Sequence, residues 1–112
     1  MDPASHLPLS PRNHLILVAL SEHPLHGYGL LERLPEISQG RIRVGPATLY
    51  RLLDRMTQDG LLEEAPEAAG DGAGPPRTVY RPTVLGRAVL QAETDRLAAL
   101  VRRVEGFGGA GR

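Results

Sequence analysis

The sequence predicts a mainly α-helical fold with one small β-hairpin, and three observations support this prediction. The stretch 44–62 carries an apolar stripe at helical spacing, with proline in its first turn and glycine after its end. Two helical segments precede this stretch, and a long one ends the chain. Two short strand-like segments flank a loop rich in Gly, Ala and Pro. Three helices, a two-stranded hairpin and a long final helix are typical of a winged helix-turn-helix.

Length and composition indicate one small domain. The 112 residues carry 13 acidic side chains and 13 arginines, with no lysine. Cysteine is absent, which excludes disulfides, thiolate catalysis and cysteine-bound zinc. The longest apolar run, 15–20, is too short to cross a membrane, and the N-terminus lacks a signal-peptide pattern. We therefore expect a cytoplasmic protein that does not associate with membranes.

The first helix should lie at about 11–22. Residues 1–9 contain two prolines and should form a flexible N-terminal segment. Ser10 followed by Pro11 marks a helix start, because the hydroxyl can cap the helix and proline suits its first turn. The apolar run that follows predicts the most buried helix of the fold. Pro24 ends the segment.

The second helix should lie at about 27–38. Tyr28, near its start, is expected in the core or as a plug at a hinge, with a contact to a backbone phosphate as the alternative. Pro35 removes a backbone donor and clashes with the preceding turn, so we expect the helix to kink or end near Leu34. A short connection then leads into the third helix, which makes the pair a helix-turn-helix candidate.

The third helix should lie at about 46–59 and bury one face. That face is formed by Leu49, Leu52, Leu53 and Met56. The opposite face presents Ala47, Tyr50, Arg51, Asp54 and Gln58, with Thr48 and Arg55 at its edge. Such residues suit the major groove of DNA. The simpler interpretation is a solvated amphipathic helix.

A hairpin should follow the third helix. Its strands are expected at 61–64 and 77–81, on either side of the loop 65–76. Period-two alternation predicts that Thr78 and Tyr80 point to one face and that Val79 and the flanking arginines point to the other. A hairpin in this position is the wing of a winged helix.

The last helix should begin after a Thr83 cap and reach about Gly106. About 24 residues span about 36 Å, which is longer than a three-helix core needs. A heptad-like seam predicts that the distal half packs on a second copy: Leu90, Leu97, Leu100, Val101, Val104 and Phe107, interrupted by Glu93. The expected organisation is a flexible segment 1–9, a DNA-binding domain 10–82, a dimerisation helix 83–107 and a flexible tail 108–112.

The net charge of zero conceals an uneven distribution. Acidic residues lie on the first strand and its loop, whereas arginines follow the third helix and the second strand. The arginines form a basic ribbon of the kind that contacts phosphates: Arg41, Arg43, Arg51, Arg55, Arg77 and Arg81. His23 and His26 have metal-ligand spacing, but Pro24 breaks the helix that would align them. We expect no metal and no cofactor.

Four stretches within about 13–100 form a specific combination: HLILVAL, PLHGYGLLERL, GPATLYRLLDRMTQDGLLE and GPPRTVYRPTVLGRAVL. Together they resemble the PadR family of bacterial transcriptional regulators, in its short form with one C-terminal helix. The resemblance implies a homodimer that binds a palindromic operator and usually represses. It implies that helix 3 enters the major groove through Thr48, Tyr50, Arg51 and Arg55, and that Arg77 of the wing contacts backbone or minor groove. Pro35, Pro82 and the acidic wing loop depart from the family pattern.

Two function classes remain after these observations. The first is a dimeric, sequence-specific DNA-binding regulator, in which Arg51 reads bases and the Tyr50 hydroxyl contacts a phosphate. The alternatives for these residues are a solvated arginine and a tyrosine packed on the wing. The second class is a winged-helix module that binds protein and not DNA. No residue marks a small-molecule effector site, and no motif supports an enzyme.

Overall fold

The computed structural model describes residues 2–66 and 78–110, with the backbone alone for 108–110. Its elements are a short 3₁₀ helix Pro3–His6, the helices α1 Pro11–Glu22, α2 Gly27–Ile37 and α3 Pro46–Gln58, the strands β1 Leu62–Pro66 and β2 Thr78–Pro82, and the helix α4 Val84–Ala110. The two strands pair antiparallel, with Glu64 opposite Tyr80. This is the predicted fold, three helices, a hairpin and a long final helix.

Local chemistry sets the helix ends where the sequence predicts them. The Ser10 hydroxyl accepts a hydrogen bond from the Asn13 N–H at 3.1 Å, which caps α1. Gly60, just past α3, has a φ of 80°, a left-handed conformation that favours glycine. The Thr83 hydroxyl oxygen accepts from the Gly86 N–H at 2.9 Å and caps α4. The starts of α1 and α4 and the end of α3 are therefore encoded locally.

Pro35 does not end α2, which corrects the expectation of an end near Leu34. The helix continues to Ile37 because the later donors still find partners. Ser38 N–H donates to the Leu34 carbonyl at 3.1 Å, and Gly40 N–H donates to the Pro35 carbonyl at 2.7 Å. A proline in the last turn removes one backbone bond and leaves the bonds that follow it intact.

The core lies where all three helices of the helix-turn-helix unit meet the hairpin and the first half of α4. Its most buried apolar members include Ile16, Leu17, Leu20, Leu30, Leu34, Leu49, Leu53, Met56, Leu62 and Val89. The predicted apolar face of α3 is confirmed, with Leu52 half-buried at its border. Burial of these side chains fixes the opposite face of α3 outward.

The hairpin departs from strict alternation, since Val79 and Tyr80 are both buried. Tyr80 is buried because the connection before α2 pairs with it. Tyr80 N–H donates to the Leu25 carbonyl at 2.9 Å, and Leu25 N–H donates to the Tyr80 carbonyl at 3.3 Å. Burial, helped by the charge of Glu64, raises the pKa of the Tyr80 hydroxyl to about 12, so the group is neutral at physiological pH. Thr78, two positions earlier, is exposed, so the two residues predicted to share a face differ in burial.

The N-terminal segment packs against α4, a contact that the sequence did not predict. Leu9 N–H donates to Glu93 Oε2 at 2.8 Å, and the Glu93 side chain is almost fully buried. Arg96 Nε donates to the other carboxylate oxygen. Glu93 therefore interrupts the apolar seam because it anchors the start of the chain.

The helix α4 is longer than the sequence predicts, and its far end is more exposed than its start. The helix has 27 residues, about 40 Å, and continues through the glycine-rich stretch to Ala110, beyond the expected end near Gly106. Leu90 packs against the subunit's own core and Leu97 is half-buried. Exposure rises along the seam, with 47% for Leu100, 53% for Val101, and 65% for both Val104 and Phe107.

We expect Glu93→Gln to flatten the acid dependence of stability. The hydrogen bond from Arg96, supported by that from Leu9, lowers the pKa of Glu93, although burial opposes the shift. A lowered folded-state pKa contributes stability that is present above the ordinary carboxyl pKa and is lost as pH falls through the lowered value. The variant should lose about 1–3 kcal/mol at pH 7, where a charge-assisted bond is weakened.

Thermal unfolding between pH 7 and pH 3 measures this effect. The melting temperature of the variant should fall less steeply with acid than that of the parent. Glu105→Gln, at an exposed position of the same helix, is the matched control and should follow the parent. Parallel curves for Glu93→Gln and the parent would show that the buried carboxylate does not carry the acid dependence.

Candidate nucleic-acid interface

The outward face of α3 presents the side chains that the sequence places there. Ala47, Tyr50, Arg51, Asp54, Arg55 and Gln58 are exposed, and Thr48 is half-buried at the edge. Arg51 Nη2 lies 3.4 Å from Thr48 Oγ1, a long hydrogen bond one turn along the helix. No described carboxylate lies within ion-pair distance of Arg51. Its guanidinium therefore keeps most of its donors for a ligand.

The basic ribbon is only partly free. Arg55 Nε lies 3.6 Å from Asp59 Oδ2 on the same helix, and Arg81 Nε lies 2.8 Å from Glu63 Oε2 across the hairpin. Arg41 and Arg43 are exposed in the turn before α3. Within the described residues, neither has a carboxylate partner. Among the described arginines of the ribbon, the unpaired positive charge is thus concentrated in the first half of α3 and the turn that precedes it.

Tyr50 leans against the start of α2. A Cβ atom at Gly27 would lie 2.5 Å from Tyr50 Cζ and 2.8 Å from Cε1, so the ring occupies the space above this glycine. The residue is nevertheless 44% exposed. Packing against α2 fixes the ring, while its exposed part can still meet a ligand.

A depression of about 550 Å³ lies between the start of α2, α3 and the base of the hairpin. It is lined by His26, Gly27, Tyr28, Tyr50, Thr78 and Tyr80. His26 Nδ1 accepts from the Gly29 N–H at 3.1 Å and so caps α2, a role that explains this histidine without a metal. Tyr28 is 64% exposed, so the prediction of a core position is wrong.

Arg77 and most of the loop 65–76 lie outside the described residues, so the structure does not place them. A position that sequence reasoning missed is Arg12, which is exposed in the first turn of α1. It lines a second depression together with the turn that carries Arg41 and Arg43. Only the folded chain could reveal it, because no local pattern links 12 to 41–43.

The described residues offer no metal site, since no group of three His, Asp or Glu side chains among them is placed to hold a metal ion. No helix in this part of the chain combines the length and apolarity needed to cross a bilayer. The arginine-bearing face of α3 is therefore the main candidate site.

A helix-turn-helix with an outward arginine-bearing helix and an adjacent hairpin defines the winged-helix class of DNA-binding proteins. A model of the PadR-like family of transcriptional regulators matches residues 16–92 of this chain. The transcriptional regulator Rv3488 of Mycobacterium tuberculosis is 38% identical over 91 residues, which cover 81% of this chain and 79% of that protein. The chain belongs to the PadR-like family of transcriptional regulators.

Solved structures agree with this assignment. A PadR-like transcriptional regulator from Bacillus cereus has a TM-score of 0.71 and 25% identity, covering 86% of this chain and 89% of that one. Bacillus subtilis PadR, solved in complex with operator DNA, shares the fold at a TM-score of 0.62 and 21% identity. The structural match covers 80% of this chain and 48% of the B. subtilis chain. The expected family and fold are confirmed.

Proposed function

We propose that the protein is a homodimeric repressor that binds a palindromic operator through α3 and the wing. The observation that carries this proposal is the exposed Arg51 on the outward face of α3, which, like Arg41 and Arg43 of the preceding turn, has no carboxylate partner among the described residues. The operator complex of the related B. subtilis protein supports the same use of the fold. Such a regulator acts on chromosomal DNA, so a cytoplasmic location is part of the proposal.

The contacts divide into positioning and reading. Arg51, near the centre of the face, reads a base edge, since a guanidinium can donate two parallel bonds to guanine. Thr48 and Arg55 flank it on the same helix, and the partly exposed Tyr50 donates its hydroxyl to a phosphate. Arg41 and Arg43 contribute phosphate contacts that fix the helix in the groove. Arg77 of the wing completes the set.

Dimerisation supplies the spacing. The distal apolar residues of α4 pair with those of a second copy: Leu97, Leu100, Val101, Val104 and Phe107. Two copies of α3 held about 34 Å apart match successive major grooves on one face of the duplex. An effector that changes the angle between subunits would spoil this match and release the operator.

Fluorescence anisotropy tests the proposal directly. The protein is titrated into labelled duplex DNA from its own promoter region and into a scrambled duplex of equal length, at two salt concentrations. A repressor should prefer the promoter, and its affinity should fall steeply with salt, with a log–log slope near −0.9 per neutralised phosphate. Absence of binding to any duplex at low salt would instead favour a protein-binding module. The ion pairs of Arg55 and Arg81 support this alternative, because they leave less positive charge free for phosphates.

We expect Arg51→Ala to abolish most discrimination between the two duplexes while the fold stays intact. Loss of one good bidentate base contact costs about 1–3 kcal/mol per half-site. Arg33→Ala is the matched control, because this half-buried arginine on α2 already pairs with Glu22 and Glu36 at 3.0 and 3.3 Å. An unchanged ratio of affinities in Arg51→Ala would remove Arg51 from the base-reading role.

A further inference from the structure

The second depression, which is lined by arginines, lies beside the turn that leads into α3. It has a volume of about 360 Å³ and is lined by residues from two distant segments: Ser10, Pro11, Arg12, Arg41, Ile42 and Arg43. The first three lie at the start of α1 and the others follow α2. The fold therefore brings Arg12 to the same concave surface as Arg41 and Arg43, from which it is distant in the sequence.

These arginines carry uncompensated charge. Arg12, Arg41 and Arg43 are exposed, and no carboxylate of the described residues lies within ion-pair distance of them. The other polar group of the rim is already engaged, because the Ser10 hydroxyl accepts from the Asn13 N–H. Three guanidinium groups around one concavity repel one another unless an anion lies between them, and guanidinium groups match phosphate oxygens particularly well.

The turn that carries two of the arginines is held in place. Ser38 Oγ accepts from the Ile42 N–H at 2.9 Å and lies 3.3 Å from the Ile42 carbonyl, to which it can donate. Gln39 and Gly40 adopt positive φ values of 57° and 79° and reverse the chain. Both arginines therefore leave a fixed turn, which lowers the entropic cost of binding.

The distance from α3 suits a phosphate at the edge of the groove. Arg43 precedes Pro46, the first residue of α3, by three positions, so the chain keeps it within about 11 Å of the helix start. The major groove is about 12 Å wide and 8.5 Å deep, which puts its phosphate walls about 10 Å from the middle of the floor. A helix start in the groove would thus bring the depression to a groove wall.

We propose that this depression holds a backbone phosphate of the duplex whose bases α3 reads, and that Arg12 is its distinguishing contact. This inference rests on the proposed function and adds to the arginines of the turn between α2 and α3 a phosphate contact from the start of α1. It makes α1 a positioning element for DNA as well as a core helix.

The salt dependence of duplex binding tests the site. Arg12→Ala should reduce the magnitude of the log–log salt slope by about 0.9 per site, or about 1.8 for a dimer with two sites. The ratio of promoter to scrambled affinity should stay constant, because a phosphate contact carries no base information. Arg12→Lys should retain most of the slope, since it keeps the charge. Urea unfolding of each variant checks that the fold is preserved.

The outcomes separate the inference from the function on which it rests. Arg33→Ala removes an arginine already paired with two carboxylates and should leave the slope unchanged. If Arg12→Ala binds with the parent slope, the phosphate site is refuted while the regulator stands. If the parent itself shows no salt-sensitive duplex binding, the proposed function fails and the inference fails with it.

A free anion is the competing occupant and needs its own measurement. Inorganic phosphate is added at constant ionic strength while the backbone amide signals of 12 and 41–43 are followed by NMR. Saturable shifts at millimolar phosphate, together with an unchanged DNA slope in Arg12→Ala, would assign the depression to a free anion and overturn the proposal. Reduced slope in Arg12→Ala without saturable phosphate binding is the expected result.

Discussion

Gly86→Ala should cost about 3 kcal/mol of folding free energy and lower the melting temperature by about 10 °C. A Cβ atom at Gly86 would lie 3.0 Å from the carbonyl carbon of Leu61 and closer still to its oxygen. That carbonyl accepts a hydrogen bond from the Thr83 N–H at 3.0 Å, so it cannot move away from the added methyl group without weakening this bond at the start of α4. The clash involves backbone, which cannot rotate away as a side chain could. Thermal and urea unfolding measure the loss.

Gly106→Ala is the matched control on the same helix. No atom of the described residues lies within 4 Å of the Cβ that this substitution adds, and the position is exposed. Alanine in a helix interior is favoured over glycine by about 1 kcal/mol, so the control should be neutral or slightly more stable than the parent. Equal stability of the two variants would mean that α4 does not approach Leu61 as closely as the structure indicates.

Val104→Glu should convert the proposed dimer to monomers and weaken the proposed operator binding by about 10²–10⁴-fold. Val104 is 65% exposed within one subunit, so the substitution leaves the subunit fold unaffected. In the proposed dimer it would place two unpaired carboxylates in an apolar interface. Linked binding to two half-sites would then be lost. Light scattering reports the mass, which should fall to 12.1 kDa per particle.

Val84→Glu provides the comparison. Val84 is 82% exposed at the first residue of α4, well away from the distal seam. The same change of charge there should leave both the dimer and DNA affinity in place. A Val104→Glu variant that still scatters as a dimer would place the subunit interface elsewhere on the chain.

Features encoded by neighbouring residues were predictable from the sequence. Ser10 and Thr83 cap their helices through hydrogen bonds that span three positions, Pro46 suits a first helical turn, and Gly60 adopts the positive φ that ends α3. The structure has those helix ends where expected. The outward face of α3 was also predictable, because burial of its apolar stripe determines what points away. Both depend on spacing along one helix.

Features that depend on distant contacts were not predictable. Glu93 looked like a defect in a seam because its partner, Leu9, is 84 positions away. The burial of Tyr80 gave no local signal, because its pairing partner, Leu25, belongs to a connection with no strand pattern. Arg12 gave no signal, since only folding brings it beside Arg41 and Arg43. The end of α2 was mispredicted because the destabilisation caused by a proline depends on its position in the helix. In the last turn, Pro35 disrupts few backbone hydrogen bonds.

The pairing between Leu25 and Tyr80 also bears on how the domain unfolds. Its two hydrogen bonds join residues 55 positions apart and enclose α2, α3 and β1 within one loop. Closing a loop of this length costs about 3–4 kcal/mol of chain entropy, so the pairing cannot persist without the packed helices inside it. The hairpin and the helical core are thereby joined in one cooperative unit. Because β2 is attached in this way, we expect the hairpin to unfold together with the core and not before it.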